Sequence, residues 1–317
     1  FAVTSNGMIE MLDDSPLALF HEWYMPEKPY GDFKKLIPYS QIETIYASDI
    51  SGSNLNNKYI IGDYIPDSTT VHTIKNCRFR NTLDLSKQQI EGGLVLDNCV
   101  FENGIILSQA AVTGNISISH CTMLKIKSDM TSMQVDGNFD IIESYFQYGI
   151  ELAQTKTTGD IYINACFISE PAAAFMANSI SCKDLSINNL NVQGPTSFHA
   201  ASVERMYLFS IDIKGYLLIN YAVIDKYCVL EDIAIQEELN FYGTVIEQNH
   251  LYMKGDFFVK GDVELSYTKA GTALVIEPSP AKGLVQGDIL AQGVETGSMI
   301  RFRNLRVQGK VECKYCN

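Results

Sequence analysis

A set of apolar positions that returns every 22 or so residues is the strongest constraint on what this chain can fold into, because neither a helical nor a simple strand period describes it. Asn76-Cys77-Arg78-Phe79, Asn98-Cys99-Val100-Phe101, His120-Cys121-Thr122-Met123, Glu143-Ser144-Tyr145-Phe146 and Ala165-Cys166-Phe167-Ile168 align with their last residues 22, 22, 23 and 22 positions apart. Val192, Ile213 and Ile235 continue the series. Each unit contains four positions spaced 2, 3 and 2, as in Leu94, Leu96, Cys99 and Phe101, or Ile116, Ile118, Cys121 and Met123. An equivalent quartet lies about 11 residues out of phase, for example Ile105, Leu107, Ala110 and Val112, and the pattern can be followed to Leu239, Phe241, Thr244 and Ile246.

Within each pair the residues alternate with the strand period of two, and the three-residue step is a corner. Two quartets make one coil with four short faces. The expected fold is all-β: a right-handed parallel β-solenoid of about 22 residues per coil, in which each coil hydrogen-bonds to the next at roughly 4.8 Å. From His72 to Cys316 there is room for about eleven coils, a rod roughly 50 Å long. Gly93, Gly114, Gly137 and Gly159, followed by Asn or Asp at Asn115, Asn138 and Asp160, supply turn chemistry at a recurring corner. A β-sandwich would instead show hairpin signals and no strict register. Residues 1–60 lack the register and read as a partly helical N-terminal cap. Pro16 to Tyr24 suits a short helix with Ser15 as N-cap, and Trp23, the single tryptophan, lies in it. Residues 61–317 form the repeat domain, irregular around 270–297.

On segments such as Leu83-Asp84-Leu85-Ser86 and Gly114-Asn115-Ile116-Ser117-Ile118, over roughly residues 70 to 317, the chain resembles pentapeptide-repeat-type quadrilateral β-helices. It also resembles the degenerate repeats of bacterial proteins labelled membrane-associated oxidoreductases. The Ala-(Asp/Asn)-Leu core of true pentapeptide repeats is mostly absent. The resemblance brings no cofactor and no catalytic motif. It implies end-to-end dimerisation, here through the C-terminal coil where Val311, Cys313 and Cys316 occupy quartet positions and no cap follows.

The 37 acidic residues exceed the 24 basic ones, for a formal charge of −13, which argues against direct nucleic-acid binding. No apolar run is long enough for a transmembrane segment. Of the eight cysteines, Cys77, Cys99, Cys121 and Cys166 sit at the third quartet position and are expected to form an inward thiol ladder. Unpaired thiols in this number fit a reducing compartment, bacterial cytoplasm or a host cytosol after delivery. Cys313 and Cys316 form a CxxC, the one metal candidate, without a second pair or a histidine in range.

Asp160 and Asp184 precede corresponding strands one coil apart and are the candidate acid–base pair of a carbohydrate-active β-helix. The competing role is the Gly-Asn/Asp turn column. The five histidines are dispersed, and no catalytic triad, P-loop or dinucleotide fingerprint is present. Outward positions hold Tyr145, Tyr162, Phe167 and Tyr207, candidate binding residues on the side of the rod. The stretch from Asp225 to Glu264 is acidic. These observations lean away from an enzyme and towards a cofactor-free interaction module that binds a protein partner, part of a larger bacterial protein, plausibly an effector. A glycan-directed β-helix and an acidic nucleic-acid mimic are the alternatives.

Overall fold

The computed structural model of the chain describes residues 2–3, 9–10, 43–46, 54–62 and 72–317. From residue 72 onward it is a parallel β-solenoid with no helix among the described residues. One sheet of eleven strands contains one short strand from each of eleven successive coils, from Leu83–Asp84 to Val311–Lys314. The other faces belong to a single sheet of 26 strands. All pairings in these two sheets are in parallel register, as in Leu94 with His72 below and Ile116 above.

Parallel pairing begins upstream of residue 61: Glu43–Tyr46 pairs with Lys58–Ile61, and Asn54–Asn56 with the strand His72–Lys75. Ala2–Val3 pairs antiparallel with Ile9–Glu10. The helix expected over Pro16–Tyr24, with Ser15 and Trp23, lies outside the described residues.

The quartets point inward as the spacing requires. Leu94, Leu96, Cys99 and Phe101 are essentially inaccessible, and so are Ile116, Ile118, Cys121 and Met123. A fully buried aliphatic or aromatic side chain contributes about 1.5–3 kcal/mol, so the axial core supplies most of the driving force. Like stacks on like: the Phe79 and Phe101 rings are stacked with centres 5.0 Å apart and nearly parallel planes.

The three-residue step is a tight turn whose last residue before the inward position is left-handed. On one corner these are Asn76, Asn98, His120, Glu143, Ala165 and their successors, with φ between 46° and 56° through Asp232. On the opposite corner of the coil they run from Lys87 and Gln109 through Ala200, Tyr221 and Tyr267 to Tyr315. A hydrogen bond closes the turn, for example from Ala110 N–H to Leu107 C=O (3.0 Å) and from Ala201 N–H to Phe198 C=O (3.1 Å). Most of these residues are not glycine, so each turn is held in a costly conformation by the ladder on both sides.

The small residues at the third quartet position have a shared task. Thr155 and Thr244 donate through Oγ1 to carbonyls of the preceding coil, at 2.6 Å to Met130 and Ile219. Cys99 and Cys121 direct their thiols at Ile74 and Leu96 C=O in the same way. A thiol or hydroxyl at this buried position therefore finds a main-chain acceptor for its own polar hydrogen.

Coil length changes are absorbed at corners. The segment Ser169–Ala174 adds residues between the strands Ile161–Ile168 and Ala174–Met176. In the irregular region 270–297 the register persists, with Leu274 beside Ile300 and Val263 beside Ile289. The local disturbance is an outward bulge, where Pro278 pairs with Gly255 but Gly283 is the next residue to pair, with Phe257.

Candidate functional site

Asp160 belongs to a ladder of side-chain oxygens at the glycine-rich corner. Asn115 Oδ1 accepts from Asn138 N–H (2.8 Å), Asn138 Oδ1 from Asp160 N–H (3.0 Å), and Asp160 Oδ1 from Asp184 N–H (3.2 Å). Glycine is required beside it: at Gly93 φ is +106° and a Cβ would lie 2.6 Å from Asn115 O. Asp262 and Asp288 repeat the device further along, each accepting from a main-chain N–H one coil on, at 2.7 Å.

Asp184 ends the first ladder in a different bond. Arg205 reaches it through Nε at 2.6 Å and through Nη2, a two-point contact that holds the guanidinium firmly protonated. The two candidate carboxylates are therefore neighbours, one engaged with backbone and the other with an arginine. Asp140, on the preceding coil, is the carboxyl that the surroundings disturb upward, first by burial and then by the charge of Asp160. On the far side of the same strand set, burial opposes ionisation of Asp97, but hydrogen bonds from His120 (3.1 Å) and Ser119 (3.0 Å) outweigh it and hold its carboxyl below the ordinary value.

The aromatic candidates fall on two faces. Tyr145 and Phe167 are paired across adjacent coils with ring centres 5.9 Å apart, and Tyr145 Oη meets Ser169 Oγ at 2.6 Å. Tyr162 and Tyr207 share a column on the neighbouring face, separated by Ser186. Tyr207 is hydrogen-bonded to Tyr227 through the two hydroxyls, and burial together with that bond pushes its phenol up to about 12. All four are half-buried, and Tyr145, Phe167 and Tyr207 are anchored to their neighbours.

A second aromatic column escaped the sequence reading. His199, Tyr221, Tyr242 and Tyr267 follow one another up a left-handed corner, with centroid separations of 5.6, 5.5 and 5.3 Å and edge-on mutual orientation. Tyr221 and Tyr267 are exposed, at 52% and 45% of their surface, whereas those four are half-buried. Burial, the flanking phenols and the carboxylate of Glu264 raise the Tyr242 phenol above its ordinary value. The signal available in sequence was the tyrosine content of one corner, obscured by unequal intervals and by Tyr242 standing one residue before its corner glycine.

Six of the eight cysteines are buried and free, and burial pushes the Cys166 and Cys182 thiols up to about 12. Cys313 and Cys316 face each other across the last turn with sulfurs 2.6 Å apart. Among the described residues no group of three or more His, Cys, Asp or Glu is placed to hold a metal ion. No helix of the described residues is long and apolar enough to cross a membrane. A shallow depression of about 430 Å³, lined by Val245, Glu247, Lys269 and Glu295 among others, lies on the face that follows the tyrosine corner. Compared with family models, with curated proteins and with solved structures, the chain matches none.

Proposed function

We propose that this solenoid is a non-catalytic scaffold that recognises a protein partner along its side. The observation that carries the reading is the column arrangement of its outward residues: aromatic and polar side chains repeat at the coil spacing on a stiff support. A rigid surface of this kind loses little conformational entropy on binding. The carboxylates that could serve acid–base chemistry are engaged in ladder bonds or with Arg205, and the depression lies several coils further along. The coil of two quartets supports kinship with pentapeptide-repeat β-helices, and with it a place in a larger bacterial protein such as an effector. The buried thiols fit a reducing compartment.

The test is affinity capture on immobilised wild-type protein beside two variants, Tyr145→Ala/Phe167→Ala and Tyr221→Ala/Tyr267→Ala, at low and high salt. A defined partner retained by wild type and lost by one variant supports recognition and places its face. A partner held equally by both variants moves the contact away from the aromatic columns. Failure of wild type to retain any protein at either salt overturns the reading.

A further inference from the structure

The exposed tyrosine corner and the carboxylates beside it form one surface, and its charge decides what it fits. Tyr221, Tyr242 and Tyr267 climb successive coils, and the rings of Tyr221 and Tyr267 lie over the next coil's glycines: a Cβ at Gly243 would meet Tyr221 ring carbons at 3.0 Å, and one at Gly293 would meet Tyr267 ring carbons at 3.1 Å. A larger residue at either glycine would displace the ring, so the two glycines keep the column continuous. Beside the column stands Glu264, whose Oε1 accepts from Ser266 N–H at 2.7 Å and which forms no ion pair among the described residues. Glu238 on the coil below accepts from Asn240 Nδ2 (2.6 Å), and Asp225 from Gln248 Nε2 (2.6 Å). Other carboxylates of the same coils are neutralised internally, Glu231 by Lys254 and Asp256 by Lys282. Carboxylates without an ion pair occur along the rod, Asp84, Asp129 and Asp140 among them, but Glu264 is the one whose charge bears on the tyrosine column, through Tyr242.

We infer that the Tyr221–Tyr242–Tyr267 corner with Glu264 is a docking surface for an extended, cationic, arginine- or lysine-rich peptide segment of a protein partner. This rests on the reading of the rod as a protein-recognition scaffold and assigns it a face. An aromatic ring face attracts a guanidinium or ammonium group, and the adjacent carboxylate supplies the opposite charge. Successive rings along the corner give an extended chain repeated contacts, and the neighbouring depression lined by Val245, Lys269 and Glu295 offers room for one aliphatic stem. A neutral glycan would gain from the rings but nothing from the uncompensated carboxylates. A polyanion is repelled by them.

The experiment is fluorescence anisotropy of an alternating Arg-Gly peptide of about eight residues, long enough at roughly 3.3 Å per residue to span the column. Glu-Gly and Gln-Gly peptides and a neutral oligosaccharide serve as comparisons. The Arg-Gly peptide binds, the others bind at least tenfold more weakly, and binding weakens as salt rises from about 50 to about 500 mM. Tyr221→Ala/Tyr267→Ala lowers affinity roughly fivefold to thirtyfold, the value of two exposed cation–π contacts. Tyr221→Phe/Tyr267→Phe retains it, which separates ring loss from a folding defect. Glu264→Gln, which keeps the acceptor for Ser266 N–H, weakens binding and flattens the salt dependence. Equal binding of the three peptides, preference for the oligosaccharide, or wild-type affinity in the double alanine variant overturns the assignment. Should affinity capture retain a partner that only Tyr145→Ala/Phe167→Ala releases, the scaffold reading stands and this face is rejected; should it retain none, the scaffold reading itself falls.

Discussion

Replacing the alanines at two left-handed corners by glycine should make the protein more stable, although glycine usually weakens a β structure. Ala165 and Ala200 have φ of 52° and 54°. An L-residue in that region costs about 1–2 kcal/mol, whereas glycine adopts it freely. Glycine loses about 0.5–1 kcal/mol more on folding because its unfolded chain is more flexible. The difference leaves a gain of roughly 0.5–1 kcal/mol per site. The corner bonds survive, since Ala200 N–H donates to Asn220 C=O at 3.0 Å through the backbone alone. Ala165 and Ala200 lie on different corners of different coils, so Ala165→Gly and Ala200→Gly should add to about 1–2 kcal/mol. For a chain of this size that raises the melting temperature by roughly 1.5–3 °C. The converse change, Gly93→Ala, forces a Cβ to within 2.6 Å of Asn115 O at φ +106° and should destabilise by at least about 1–3 kcal/mol. Thermal and urea unfolding followed by circular dichroism read all three variants. A lower midpoint in both alanine-to-glycine variants would refute the idea that these corners are strained and held by the ladder.

Three further outcomes follow from the same geometry. Asp140→Asn should stabilise at pH 7 by up to about 0.5 kcal/mol. Its carboxyl is raised in the folded state, so ionisation costs stability above that raised value and the cost disappears once acid protonates it; the gain must vanish in melts near pH 3. Asp160→Asn should be nearly neutral because Asn Oδ1 can still accept from Asp184 N–H, while Asp160→Ala should lose about 1 kcal/mol in urea titrations; equal effects would remove the ladder role. Oxidised glutathione should convert Cys313 and Cys316 to a disulfide, releasing two reduced glutathiones, with a rate that climbs with pH because burial and Cys316 push the Cys313 thiol up to about 11. Mass spectrometry should find two hydrogens lost there and the six buried cysteines unmodified until denaturant is added; core modification in the native protein would contradict the burial.

The axial core was legible because its signal is periodic: Leu94, Ile116, Phe139 and Ile161 recur at one phase, and in-register pairing makes that phase equal to a column. The corners were legible only as steps of three. Nothing about Lys87, Gln109 or Ala200 marks a left-handed residue by type, because the conformation is imposed by ladder bonds on both sides and not chosen locally. The pairing of Tyr145 with Phe167 could be read from equal spacing. Asp184 and Arg205 are likewise register partners on adjacent coils, but the irregular interval of 21 residues and the turn-column role of Asp184 masked the pair in sequence. Tyr221, Tyr242 and Tyr267 were hidden for a related reason: corners absorb the variation in coil length, so residues on them drift in sequence while remaining adjacent in space.

The coil also separates length from identity. Because each coil is bonded only to the one before and the one after, duplicating a whole coil, such as residues 217–238, lengthens the rod by one rung of roughly 4.8 Å and preserves every column. A duplication of half a coil would instead rotate each later column to a different side. Genetic change in whole coils can therefore extend the tyrosine corner by one ring at a time, a ruler graduated in single contacts.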